Sequence, residues 1–137
     1  MFNFFLEKNR TEYYDRLLAV TQKGDWEGWL LFFLEGVHEQ AEDAVERIRA
    51  LQSLRLEYQE LFSKDRSRKN LAAMVDYFIS TPISSIAQAQ EAVNLGSFTT
   101  IQRYIRKLEA LGILQEVTGK ARDRLYCADE ILRIFEG

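Results

Sequence analysis

Residues 97–127 read SFTTIQRYIRKLEALGILQEVTGKARDRLYC, and their periodicity decides the fold. Ile101, Tyr104, Ile105 and Leu108 recur at i, i+3, i+4 and i+7, which sets four apolar side chains on one face of a helix. Ser97 is a favoured N-cap residue type, and Leu111-Gly112 ends the pattern. The period then changes. Ile113 to Val117 is a short apolar run, Thr118-Gly119-Lys120 has turn composition, and Arg124 to Cys127 is a second run. Two such runs around a glycine turn predict a β-hairpin.

Upstream, Leu71 to Ile79 reads as a short helix that ends before Thr81-Pro82. Ser84 or Ser85 can cap a second helix through Val93. Asn94-Leu95-Gly96 is a tight turn in which Asn94 or Gly96 takes a positive φ. Asp129 caps a last helical turn or two through Phe135.

Three helices followed by a two-stranded hairpin is the order of a winged helix-turn-helix. In that arrangement the third helix is the recognition helix. Its polar side carries Thr99, Thr100, Gln102, Arg103, Arg106 and Lys107. Hydroxyls bond phosphates, and Gln102 or Arg103 suits base edges. Lys120, Arg122 and Arg124 fall on or beside the wing, in reach of the backbone or minor groove. These nine residues are the expected DNA-binding set. Tyr104 is expected in the core and Tyr126 in the open. The competing reading of the same face is a solvated surface on a protein-docking module.

Charge supports a local contact only. The 137 residues carry a formal net charge of −3. Residues 1–66 hold 9 Lys/Arg against 13 Asp/Glu, whereas residues 67–137 hold 9 against 8. An unselective coater of nucleic acid is basic throughout, so this balance excludes that class and leaves a selective binder.

The first half is a different object. Residues 3–22 read as a helix with Phe5, Leu6, Tyr13, Leu17 and Val20 on one face. Gly24 stops it and Asp25 caps the next. From Trp26 the helical pattern barely pauses until Phe62, with Leu34, Val37, Ala41, Ala44, Ile48 and Leu51 spaced as a heptad-like seam. One long helix, with a bend at Gly36 or a close neighbour there, and an antiparallel helical pair are expected. The stretch SKDRSRKN, residues 63–70, has linker composition. The expected organisation is a helical segment at 1–63, a linker at 64–70 and a winged helix-turn-helix at 71–137. The fold class is mainly α with a small two-stranded β wing.

FFLEKNRTEYYDRLLAV, followed by GDWEGWLLFFLEGVHEQAEDAVERI, resembles the segment after the catalytic motif in proteins of the Fic (filamentation induced by cAMP) family. The likeness covers most of residues 3–62, and such proteins often continue into a C-terminal winged helix. Fic enzymes transfer AMP, or another phosphate-containing group, to a protein hydroxyl. Their active loop reads His-Pro-Phe-x-x-Gly-Asn-Gly-Arg, and nothing in this chain matches it: the single histidine, His38, is followed by Glu-Gln-Ala-Glu. The resemblance therefore implies a noncatalytic C-terminal portion, with no catalytic, cofactor or metal residue carried over. It also implies a Fic catalytic core as a partner in the alternative reading, a protein-interaction or dimerisation module of an AMP-transferring enzyme whose catalytic part lies outside this chain.

Nine of the 17 aromatics fall in the first 33 residues. A helical pair this apolar exposes more than a quiet monomer tolerates, so a homodimer through 1–63 is expected. His38 with Glu35, Glu39 and Glu42, and the Glu42-Asp43-Glu46 cluster, read as solvated helix faces, because no second His or nearby Cys supports zinc. Cys127 has no partner for an internal disulfide and reads as a small buried hydrophobe. The longest apolar run, Trp29 to Leu34, is far short of the roughly 20 residues of a membrane span. With no signal peptide evident in MFNFFLEKNR, the expectation is a cytoplasmic protein without a membrane partner.

Overall fold

A computed structural model describes residues 2–119 and 122–136. The chain is mainly helical, with one small antiparallel sheet. In order it forms α1 (Phe2–Lys8), α2 (Arg10–Lys23), α3 (Trp26–Leu61), α4 (Arg68–Ser80), β1 (Ile83–Ser85), α5 (Ile86–Val93), α6 (Phe98–Ala110), β2 (Gln115–Glu116), β3 (Leu125–Cys127) and α7 (Asp129–Glu136). Among the described residues, no helix is long and apolar enough to cross a membrane. The contacts divide the chain into two compact units, 1–48 and 49–137.

In the first unit, the expected single N-terminal helix is interrupted at Asn9. Asn9 leaves helical geometry at φ −111° and ψ 35°, while its Nδ2 and its backbone N–H both donate to the Phe5 carbonyl at 3.0 Å. Gly24 ends α2 in the left-handed conformation at φ 65°. The Gly24 and Asp25 N–H groups reach back to the Val20 and Ala19 carbonyls at 3.0 and 3.3 Å, the first being the bond of a left-handed C-terminal cap. Asp25 then caps α3, its Oδ1 accepting from the Gly28 N–H at 3.0 Å.

The tight turn makes α3 run back along its predecessors. Phe5 meets Phe32 at 5.3 Å between ring centroids, Tyr13 meets Trp29 at 5.6 Å, and Lys8 pairs with Glu39 at 3.5 Å. Gly36 is buried within an uninterrupted helix. The pairing face of α3 is thus Trp29–Phe32–Gly36. Leu34, Val37 and Ile48 of the heptad-like seam remain exposed.

The second unit holds the main core. Leu54, Tyr58 and Phe62 of the α3 end and the following turn join Leu71, Met74, Val75 and Phe78 of α4. Ile86 and Ala89 of α5, and Ile101, Tyr104, Ile105 and Leu108 of α6, close on the same cluster. The four α6 residues are each no more than 4% exposed, as the i, i+3, i+4, i+7 pattern requires. Arg55 grips Asp76 with two bonds, Nε–Oδ1 at 2.8 Å and Nη2–Oδ2 at 3.0 Å, tying α3 to α4.

The structure differs from the expected organisation at three points. The stretch 64–70 does not run free of structure: α4 begins at Arg68, Asn70 donates to the buried Tyr104 hydroxyl at 2.8 Å, and Asp65 pairs with Lys107. The division between units falls instead at Ile48/Arg49, because Leu54, Tyr58 and Phe62 belong to the second core. The sheet has three strands where two were expected, in the order β1-β3-β2. Ser84 pairs with Tyr126 across β1–β3, and Glu116 with Tyr126 across β2–β3. Ser84 is fully buried in the strand; its hydroxyl donates to the Ser85 carbonyl and accepts from Tyr77 Oη at 2.7 Å.

Candidate nucleic-acid interface

The turn between α5 and α6 sets the site. Asn94 at φ 50° and Gly96 at φ 143° both adopt positive φ, so the chain reverses within three residues. A Cβ on Gly96 would stand 3.1 Å from Thr100, so glycine also permits close seating of the α6 start. Ser97 Oγ then accepts from the Thr100 N–H at 3.3 Å and caps α6. At the head of α5, Ser85 and Gln88 form a reciprocal capping box: Ser85 Oγ accepts from Gln88 N–H at 3.2 Å, and Gln88 Oε1 accepts from Ser85 N–H at 3.0 Å.

With its apolar side buried, α6 turns Thr99, Arg103 and Arg106 to solvent and leaves Gln102 half-buried. The Arg103 guanidinium lies over the Tyr104 ring, 5.5 Å from its centroid, in a cation–π contact. A shallow groove runs along Thr99, Gln102, Arg103, Arg106 and Lys107. Beside it, a cavity of about 380 Å³ brings Gln102 and Arg106 together with Arg122 and Arg124 from the β2–β3 connection. Ser85 and Ala87 at the α5 N-terminus line the same cavity, together with Tyr126.

Three arginines and the start of α5, the positive end of its helix dipole, thus line one cavity, with Asp123 the acidic residue among the described lining residues. Asp123 sits at φ 52°, a left-handed turn that a short polar side chain tolerates. Such an arrangement suits phosphate oxygens, which accept bidentate bonds from arginine and N–H bonds from a helix terminus.

The other anticipated contact residues are placed differently. Lys107 Nζ donates to both Asp65 carboxylate oxygens at 3.0 Å and is engaged. Ser67 N–H first, and Lys107 second, hold the Asp65 carboxyl below its ordinary range. Thr100 hydroxyl lies 3.1 Å from Ser97 Oγ within the cap. Lys120 lies outside the described residues. Tyr126, expected in the open, is 2% exposed because β3 is the central strand. Ser85, Ala87 and Phe98 were missing from the anticipated set, although the S-x-x-Q spacing of Ser85 and Gln88 marks the α5 terminus.

His38 pairs with Glu42 at 3.2 Å on an exposed face, and Arg47 with Asp43 at 3.1 Å. Among the described residues, no group of three or more His, Cys, Asp or Glu side chains is placed to hold a metal ion. Burial, more than the neighbouring carboxylates, pushes the Cys127 thiol up and keeps it protonated. No protein-family model matches the chain.

Proposed function

We propose that residues 71–137 form a winged helix-turn-helix that binds DNA, with α6 as the recognition helix and the β2–β3 connection as the wing. The observation that carries this reading is the convergence of Gln102 and Arg106 with Arg122 and Arg124 at the capped start of α5. Phosphates would seat in that cavity while Thr99, Gln102 and Arg103 meet the major groove. Lys107 contributes once a phosphate competes with Asp65 for its ammonium.

Residues 1–63 are read as a noncatalytic segment of Fic C-terminal type that self-associates, so that two wings address two half-sites. The chain then acts as a regulator without chemistry of its own. The supporting features are the quoted Fic-like motifs, the missing active loop and the exposed apolar surface of the first unit.

A second reading has its own observation. Phe4, Tyr14, Leu18 and Trp26 are 53–68% exposed in the first unit. On this reading they pack against a Fic catalytic core carried on another polypeptide, and the chain is the interaction module of an AMP-transferring enzyme. Fluorescence anisotropy of labelled duplexes separates the two. Saturable, salt-sensitive binding supports the DNA module; no binding at about 50 mM salt removes it.

A further inference from the structure

The face of α3 turned away from α1 and α2 carries a second pattern. Leu34 is 58% exposed, Val37 44%, Val45 45% and Ile48 54%, with Ala41 exposed between them. At 100° per residue, all five lie within about 40° of the Ala41 direction, so they form one stripe. Their spacing is 3, 4, 4 and 3, a series that reads the same from either end. The side chains mirror one another too: valine lies four residues to each side of Ala41, and a leucine and an isoleucine lie seven residues out.

We infer that this stripe is a two-fold interface with a second copy of the chain, in which the α3 helices cross antiparallel at Ala41. A two-fold axis there brings residue 41−n against residue 41+n of the partner. Val37 then packs on the partner's Val45, and Leu34 on the partner's Ile48, like against like in volume. Alanine at the crossing lets the backbones approach, and the larger outer residues fill the widening gap. Antiparallel helices also set their dipoles in the favourable sense. No charged residue lies in the stripe, so nothing charged is stranded on closing it.

Area supports a second copy. The stripe and its neighbour Leu30, itself 54% exposed, offer on the order of 500 Å² per copy. A pair that covers the stripe fully buries up to about 1,000 Å², the lower limit of a specific interface. The inference rests on the reading of residues 1–63 as a self-associating segment, and not on DNA binding.

Sedimentation velocity of the full chain at tens of micromolar, with cysteine cross-linking in a Cys127→Ala background, tests it. Circular dichroism checks that each variant folds, which exposed positions favour. The expected result is a dimer in which Ala41→Cys links to its own copy. Val37→Cys links to Val45→Cys in a mixture but not to itself, since two Val37 positions stand about 12 Å apart along the axis. Leu34→Glu gives a monomer, and adding Ile48→Lys restores association by pairing the two charges across the interface. A monomeric wild-type chain overturns both this interface and the self-association reading. A dimer that survives Leu34→Glu without an Ala41→Cys link keeps self-association and overturns this face. Self-linking of Val37→Cys overturns the antiparallel arrangement.

Discussion

Lys107 Nζ lies 3.0 Å from both oxygens of Asp65, a residue 42 positions earlier in the chain. This pair fastens the segment after α3 to the helix that carries the candidate contact residues. Asn70, bonded to Tyr104 Oη, makes a second fastening a few residues on. The orientation of α6 is therefore held from behind by the same stretch whose composition reads as a linker.

Replacing Asp65 with Ala lowers the midpoint of urea unfolding at pH 7, because Ser67 N–H and Lys107 both lose their acceptor. The folded-state pKa of Asp65 is depressed below its ordinary 3.8, so its stabilisation is present above that value. It is lost as pH falls through the folded pKa. The gap between wild type and Asp65→Ala should accordingly narrow below pH 3.8. The variant also frees Lys107, and its DNA affinity should rise in low salt.

Tyr58 reports the opposite end of the pH scale. Its ring is 4% exposed, its hydroxyl is buried without a well-formed hydrogen bond, and the Glu130 carboxylate lies near it. Burial first, then Glu130, raises its pKa well above the ordinary 10.0. A raised pKa gives stability that is full below the unfolded value and is lost as pH rises through the folded one. Tyr58→Phe should be as stable as wild type at pH 7, or more stable by about 1 kcal/mol. Its loss of stability above pH 10 should be shallower, as denaturant titrations at two pH values would show.

Neighbouring positions on α6 should separate fold from site. Leu108 is fully buried in the core, and Leu108→Ala should cost about 2–5 kcal/mol of unfolding free energy. Arg106 is exposed, and Arg106→Ala should change stability by no more than about 0.5 kcal/mol. The same Arg106 variant should weaken duplex binding and reduce its salt dependence.

Gly96 couples the two helices of the turn. At φ 143°, with Thr100 3.1 Å from an added Cβ, Gly96→Ala is strained in backbone and in space. It should destabilise by more than about 1 kcal/mol. Duplex affinity should fall with it at temperatures where the variant remains folded, since α6 loses its seat against α5.

Much of this was legible along the chain, for a physical reason. Ile101, Tyr104, Ile105 and Leu108 repeat at the helical period within one element, and Ser97, Asn94 and Gly96 have conformational preferences that act locally. What escaped depends on distant partners. The strand at Ile83–Ser85 is three residues long and exists because β3 offers it an edge. Asp65 looks like a solvated linker residue until Lys107 arrives from α6. Of the six anticipated α6 contacts, Thr99, Gln102, Arg103, Arg106 and Lys107 share one groove, but only the fold sets Arg122 and Arg124 on the same cavity as Gln102 and Arg106. On α3, heptad spacing alone does not distinguish the face packed on α1 and α2 from the face left open.

The most direct test of the DNA reading is the anisotropy of a labelled duplex titrated with the wild-type chain and with Arg106→Ala/Arg122→Ala at several salt concentrations. Wild-type binding should saturate and weaken steeply with salt, and the double variant should bind with lower affinity and a salt slope reduced by about 2. A wild-type chain that leaves the duplex unbound at about 50 mM salt, or a double variant that binds with unchanged affinity and slope, would contradict the DNA reading.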